Sequence, residues 1–133
     1  MPGQRVLVVD DDPAVSRVLV RILIRAGYDA VSAPNGRQAL ECIAEQDLFD
    51  AMVCDIDMPE MDGRQLCLHL AASGPYLPAC TIIVTSRSEL DERSWVNAYA
   101  GISLMEKPVS PKQVLQRIKI RLEERIPGGE QAA

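Results

Sequence analysis

Asp10 and Asp11 directly follow the apolar run Val6-Leu7-Val8-Val9, and Asp55 directly follows Ala51-Met52-Val53-Cys54. Thr85 closes Thr81-Ile82-Ile83-Val84, and Lys107 stands two residues beyond Ile102-Ser103-Leu104-Met105. Three carboxylates brought into one pocket repel each other and raise at least one pKa unless a cation joins them. A hard divalent ion relieves that repulsion. Mg²⁺ suits a site of a few carboxylates, water and a phosphoryl oxygen, with Mn²⁺ as a possible replacement. A carboxylate beside such an ion can attack phosphorus and become an aspartyl phosphate. The equatorial oxygens then need positive charge and hydrogen bonds, which an ammonium and a hydroxyl can supply. Taken singly, Lys107 reads as a surface lysine and Thr85 as a strand-end residue. Only the order and spacing of the motifs around all of these residues reverses that reading.

The elements between these residues follow a regular alternation. Arg5 to Val9 reads as a strand buried on both faces. Asp12-Pro13 is a helix start, with the carboxylate capping free N–H groups and proline at the first helical position. Gly27 is placed to stop that helix. Val15, Val18, Leu19, Ile22, Leu23 and Ala26 cluster at about 100° per residue as its expected core stripe. A second strand is expected over Tyr28 to Ser32, followed by a helix from Asn35-Gly36 carrying Ala39, Leu40 and Ile43. Ala51 to Cys54 is the third strand, and Pro59 and Asp62-Gly63 mark a turn before a helix through Leu66 and Leu70. Thr81 to Val84 is the fourth strand, Glu89 to Ala100 the fourth helix, and Ile102 to Met105 the fifth strand. Ser110-Pro111 repeats the capped start for a last helix through Arg125. Pro127-Gly128-Gly129 is expected to end it and leave a disordered tail or the start of a linker over 127–133. Strands alternating with helices specify an α/β fold, a doubly wound parallel sheet covered on both faces. Sites in such sheets lie at the carboxyl ends of the strands, where the residues named above all fall.

The 133 residues carry a net charge of −5 and are 47% hydrophobic. That is enough for one domain with a real core, expected over residues 5–126. No apolar run approaches the roughly 18 residues of a membrane span. Met1 to Arg5 shows no charged and apolar leader, so a cytoplasmic location is expected. The acidic balance argues against unaided binding to nucleic acid. Cys42, Cys54, Cys67 and Cys80 include no Cys-x-x-Cys pair and read as reduced, mostly buried thiols. With His69 the single histidine, a zinc site has too few ligands.

Val8-Val9-Asp10-Asp11-Asp12-Pro13, Asp55-Ile56-Asp57-Met58-Pro59-Glu60-Met61-Asp62-Gly63, Val84-Thr85-Ser86 and Glu106-Lys107-Pro108 together resemble the four motifs of the response-regulator receiver domain. The resemblance covers about residues 5 to 125 and implies a flavodoxin-like (βα)5 sheet in strand order 2-1-3-4-5. It implies that Asp55 is the phosphoacceptor, taking its phosphoryl group from a histidine kinase or a histidine phosphotransfer protein. Asp11 matches the direct Mg²⁺ ligand, with Asp10 acting mainly through water, Asp55 completing the carboxylates and the backbone carbonyl of Asp57 a further ligand. Thr85 and Lys107 match the residues that meet the phosphoryl oxygens, and Lys107-Pro108 matches a cis peptide. The chain would be a signalling switch and no enzyme beyond self-phosphorylation and slow autodephosphorylation. Its partner would be a downstream protein effector or a fused output domain. A dimer could form through the fourth helix, fifth strand and fifth helix, where Trp95 and Tyr99 are either interface anchors or core.

Two features compete with or depart from the resemblance. Asp55-Ile56-Asp57 also resembles the Asp-x-Asp of haloacid-dehalogenase-type phosphatases, but Met58-Pro59 does not continue that motif, and Asp10-Asp11 precede it. Leu104 stands where receivers commonly carry Tyr or Phe three residues before the lysine. Without a ring to swing inward, a phosphate-independent binding module is the other alternative. On the first helix, Val20 and Ile24 beside Arg17, Arg21 and Arg25 read as a docking patch for the phosphodonor.

Overall fold

The computed structural model describes residues 4–45, 49–58, 60–73, 77–78, 80–86, 95–96, 99 and 101–132. The elements are β1 (Arg5–Val9), α1 (Pro13–Arg25), β2 (Asp29–Ala33), α2 (Gly36–Glu45), β3 (Ala51–Asp55), α3 (Gly63–Ser73), β4 (Cys80–Thr85), β5 (Ile102–Glu106) and α4 (Pro111–Ala132). The helix expected over 89–100 lies almost wholly outside the described residues. All four pairings are parallel, in the order β2-β1-β3-β4-β5. Reversal of strand order beside β1 opens a crevice at the carboxyl ends of β1 and β3.

Alternation along the strands divides the core in two. Val6, Val8, Ala51, Val53, Ile82 and Val84 face α1 and α4, where Leu19, Leu23, Val114, Ile118 and Leu122 meet them. Leu7, Val9, Met52, Cys54 and Ile83 face the other way, toward Ala39, Ile43, Leu66 and Leu70. Burial on both sides explains why these strands read as continuous apolar runs.

The helix starts follow the side-chain chemistry. Asp12 accepts from the Ala14 N–H at 3.0 Å. Asp62 and Gln65 bond each other's backbone N–H groups reciprocally, at 2.8 and 3.0 Å, so Asp62-Gly63 is a helix cap and turn. Gly63 has no alternative, because a Cβ there would lie 2.7 Å from the Asp55 carbonyl oxygen. The absent side chain lets α3 begin directly beneath the end of β3. Gly27, at φ +101°, ends α1 as expected.

Two expectations need correction. The core stripe of α1 is rotated: Leu19 and Leu23 are buried, but Val15 and Val18 are 37% and 51% exposed, and buried Ser16 takes their place. Periodicity counts every apolar residue, whereas α1 is covered only where it meets β1, β2 and α4. The last helix does not end near Pro127 but runs to Ala132. An interior proline ordinarily costs a helix about 3 kcal/mol or more, and nothing in the described contacts explains why this helix passes it.

Candidate functional site at the carboxyl edge of the sheet

Strand parity decides which side chains meet. Asp10 continues the Val6-Val8 series and Asp55 the Ala51-Val53 series, so both emerge on the α1 side. Lys107 follows Met105, which packs on that same side. The result is a cavity of about 630 Å³ bounded by Asp10, Asp11, Asp55, Asp57 and Lys107, with Val15 and Val109 at its apolar side.

Asp55 is only 3% exposed, and its Oδ1 lies 3.1 Å from Lys107 Nζ. The same oxygen accepts from the Asp57 N–H at 3.2 Å. Asp10 Oδ1 accepts from the Asp12 N–H at 2.8 Å, which turns the carboxylate inward while Asp11 remains exposed. One oxygen from each of Asp10, Asp11 and Asp55 falls within 4.8 Å of the others. Burial pushes the Asp55 carboxyl above its ordinary value, against the lowering effect of Lys107 and the Asp57 N–H. Burial likewise raises Asp10, only partly offset by the Asp12 N–H, and the charge of Asp55 adds to the rise. Burial alone would lower Lys107, but its hydrogen bond to Asp55 and the charges of Asp55, Asp10 and Asp57 raise it instead. Two carboxylates held above their ordinary values beside a third describe a donor set short of positive charge. A small oxygen-loving dication fits that set.

Thr85 is the residue that the sheet does not bring into the cavity. It is fully buried and shares parity with Ile83, on the opposite side from Asp55. Its carbonyl accepts from the Lys107 N–H at 2.8 Å, so it ties the Lys107 backbone to the rim. The Lys107-Pro108 peptide is cis. Asp57 lines the cavity and is exposed. Val15 and Val109 were not anticipated at the site. Val109 could have been found as the residue that follows Lys107-Pro108, and Val15 by placing it one turn beyond Asp11.

Trp95 and Val96 are buried in the core and Tyr99 is partly buried against the same core, so Trp95 is core rather than a surface anchor. All four cysteines are thiols outside any disulfide and three are buried, as expected. His69 is exposed. Among the described residues, no helix is long and apolar enough to cross a membrane.

A parallel five-stranded sheet in this order, with three aspartates and a lysine at its carboxyl edge, defines the receiver class of fold and site. The family description "Response regulator receiver domain" matches residues 6–119. The chain is 37% identical over 132 residues to the response regulator MprA of Mycolicibacterium vanbaalenii, covering 97% of this chain and 56% of that protein. It resembles a CheY-like receiver domain protein from Methanospirillum hungatei at 31% identity and TM-score 0.79, covering 95% of this chain and 98% of that one. A response regulator of Chloroflexus aurantiacus matches at 29% identity and TM-score 0.77, covering 91% and 98%. The chain belongs to the response regulator receiver domain family. It is a signalling module of two-component systems, and it spans about half the length of the curated relatives it matches.

Proposed function

We propose that the chain is a phosphorylation-dependent switch with Asp55 as its phosphoacceptor. The observation that carries this reading is the buried Asp55 carboxylate, 3.1 Å from Lys107 and clustered with Asp10 and Asp11. An Asp55 oxygen attacks the phosphorus of a phosphohistidine on a histidine kinase or phosphotransfer protein. The new O–P bond replaces the N–P bond, and the departing imidazole takes up a proton. Lys107 would transfer its contact from Asp55 to a phosphoryl oxygen. Thr85 would reach the same group by turning its hydroxyl over the end of β4. Asp11, Asp10 largely through water, Asp55 and the Asp57 carbonyl would hold Mg²⁺, or Mn²⁺ in its place. That ion would neutralise charge on the phosphoryl oxygens.

Val15, Val18, Val109 and Pro111 line a shallow apolar hollow immediately beside the cavity. This hollow is a better seat for the phosphodonor than the expected Val20 and Ile24, because it adjoins Asp55's opening. The output would pass to a separate effector or to a fused domain in a longer protein. A dimer through the 89–100 segment, β5 and α4 is a further route.

The test is acetyl phosphate with Mg²⁺, read by intact mass. One phosphoryl group should add to the chain and none to Asp55→Asn. Labelling that persists on another residue overturns the assignment.

A further inference from the structure

The phosphodonor seat leaves a second face of α1 without an occupant. Arg17, Arg21 and Arg25 recur every four residues, which advances only about 40° per step and aligns them along one ridge. All three are exposed, and none pairs with an acid among the described residues. In a chain of net charge −5, three free cations on one ridge are a concentrated exception. The ridge borders a groove of about 620 Å³, with Val20 and Ile24 as apolar lining and Ser32 of β2 at its outer side.

β2 is an edge strand. Its bonds to β1 use alternate residues: the Asp29 N–H donates to Gln4 at 2.9 Å, and the Ala33 carbonyl accepts from Asp10 at 3.1 Å. The same alternation turns the N–H and C=O groups of Ala30 and Ser32 to the open side, where no described backbone meets them. An open edge of this kind is a template for another strand.

We propose that this face binds an acidic, extended segment of a protein partner, which joins β2 as a sixth strand. Alternate carboxylates of that segment pair with Arg17, Arg21 and Arg25. The repeats match: every second residue of a strand advances about 6.7 Å and every fourth residue of a helix about 6.0 Å. The mismatch over three contacts is about 1.4 Å, within the reach of arginine side chains. Side chains between the carboxylates point to the other face, and Val20 and Ile24 pack the stems of those that enter the groove. An acidic helix would satisfy the arginines but leave the Ala30 and Ser32 groups unpaired. The extended form satisfies both.

The probe is a capped Glu-Val-Glu-Val-Glu-Val peptide titrated into the ¹⁵N-labelled full chain. Exchange of the Ala30 and Ser32 amide protons should slow by at least about tenfold on binding. Arg21→Glu with Arg25→Glu should weaken binding by at least about tenfold. Ser32→Pro, which removes one outward donor at an edge that tolerates proline, should do the same. All variants should keep wild-type labelling by acetyl phosphate, which separates this face from the phosphoacceptor chemistry. If Ser32→Pro loses its dispersed amide spectrum, the arginine variant and the exchange rates decide. Four outcomes overturn the proposal: no binding at millimolar peptide, equal binding of the Lys-Val counterpart, α1 shifts without slowed exchange at Ala30 and Ser32, or preference for a DNA duplex of equal charge.

Discussion

Arg117 Nη1 donates to the Leu104 carbonyl at 3.0 Å and reaches Ser103 Oγ at 3.4 Å. β5 is the second edge of the sheet, and its bonds to β4 run through Gly101 and Lys107, which turns the Leu104 carbonyl outward. The guanidinium therefore caps an edge carbonyl at the position where receivers commonly carry an aromatic ring. Half-burial keeps this charged hydrogen bond from being fully screened. Arg117→Ala should lower unfolding free energy by about 1–2 kcal/mol. The urea midpoint should fall with an unchanged slope. A loss below about 0.5 kcal/mol would mean that water replaces the guanidinium without cost.

Lys107 is the single cation against Asp55 among the described contacts of the cavity. Removing it leaves the carboxylate with burial, which raises its pKa, and with the Asp57 N–H, which lowers it. Lys107→Ala should push the Asp55 pKa further up, read by carboxyl ¹³C shifts. It should also slow labelling by acetyl phosphate by about 10²-fold, the usual loss when one charge-stabilising group is removed. An unchanged rate would assign Lys107 to positioning after transfer and not to transfer itself.

Asp10 couples pH to stability. Burial raises its folded-state pKa above the ordinary 3.8. The fold thus prefers the protonated form: the contribution is full below the unfolded pKa and is lost as pH rises through the folded one. Asp10→Asn keeps an oxygen for the Asp12 N–H and deletes the charge. Without Mg²⁺, the variant should melt roughly 2–5 °C higher than the parent at pH 7. The difference should vanish as pH falls below about 3.8, where the parent is neutral too. Millimolar Mg²⁺ should raise the melting temperature of the parent more than that of the variant, because only the parent keeps the full carboxylate set. Equal shifts would separate the ion from Asp10.

The sheet and the site were readable because they share one code. Short β-branched apolar runs bounded by helix starts read as strands covered on both faces, which puts the polar residue that ends a run at the rim. Asp10 and Asp55 were legible for that reason, and Lys107, two residues beyond its run, through the Glu106-Lys107-Pro108 motif. Thr85 was legible as a rim residue, but its side was not, since linear order does not announce parity until the register is known. The α1 stripe failed differently. Six apolar residues on a helix outnumber the positions that one sheet edge can cover, so Val15 and Val18 were left for the cavity and its neighbouring hollow.

The cysteines divide by burial. Desolvation pushes the Cys67 thiol up to about 12 and Cys54 well above its ordinary value, with nearby acids adding to both. Thiolate is the reactive form, so neither should react at pH 8 in the folded chain. Cys80 is buried as well, and Cys42 is the one partly exposed thiol. Native treatment with iodoacetamide should add one label, at Cys42, and denatured treatment four. Native labelling of Cys54 or Cys67 would reveal opening of the core directly behind Asp55.

A pair of substitutions on α1 tests the rotated stripe against the one expected from periodicity. Leu23 is fully buried against the sheet and α4, so Leu23→Ala should cost about 2–5 kcal/mol through lost contacts and a cavity. Val18 is 51% exposed, so Val18→Ala should change stability by less than about 0.5 kcal/mol. Periodicity alone would place both residues in the core and predict a loss for each. The functional readout should invert. Val18→Ala should leave labelling by acetyl phosphate intact, because that donor needs no docking surface. It should weaken transfer from a phosphorylated histidine protein, because Val18 lines the hollow beside the cavity. Stopped transfer assays with the two donors on the same variant separate these effects. Equal rates with both donors would move the phosphodonor seat away from Val18.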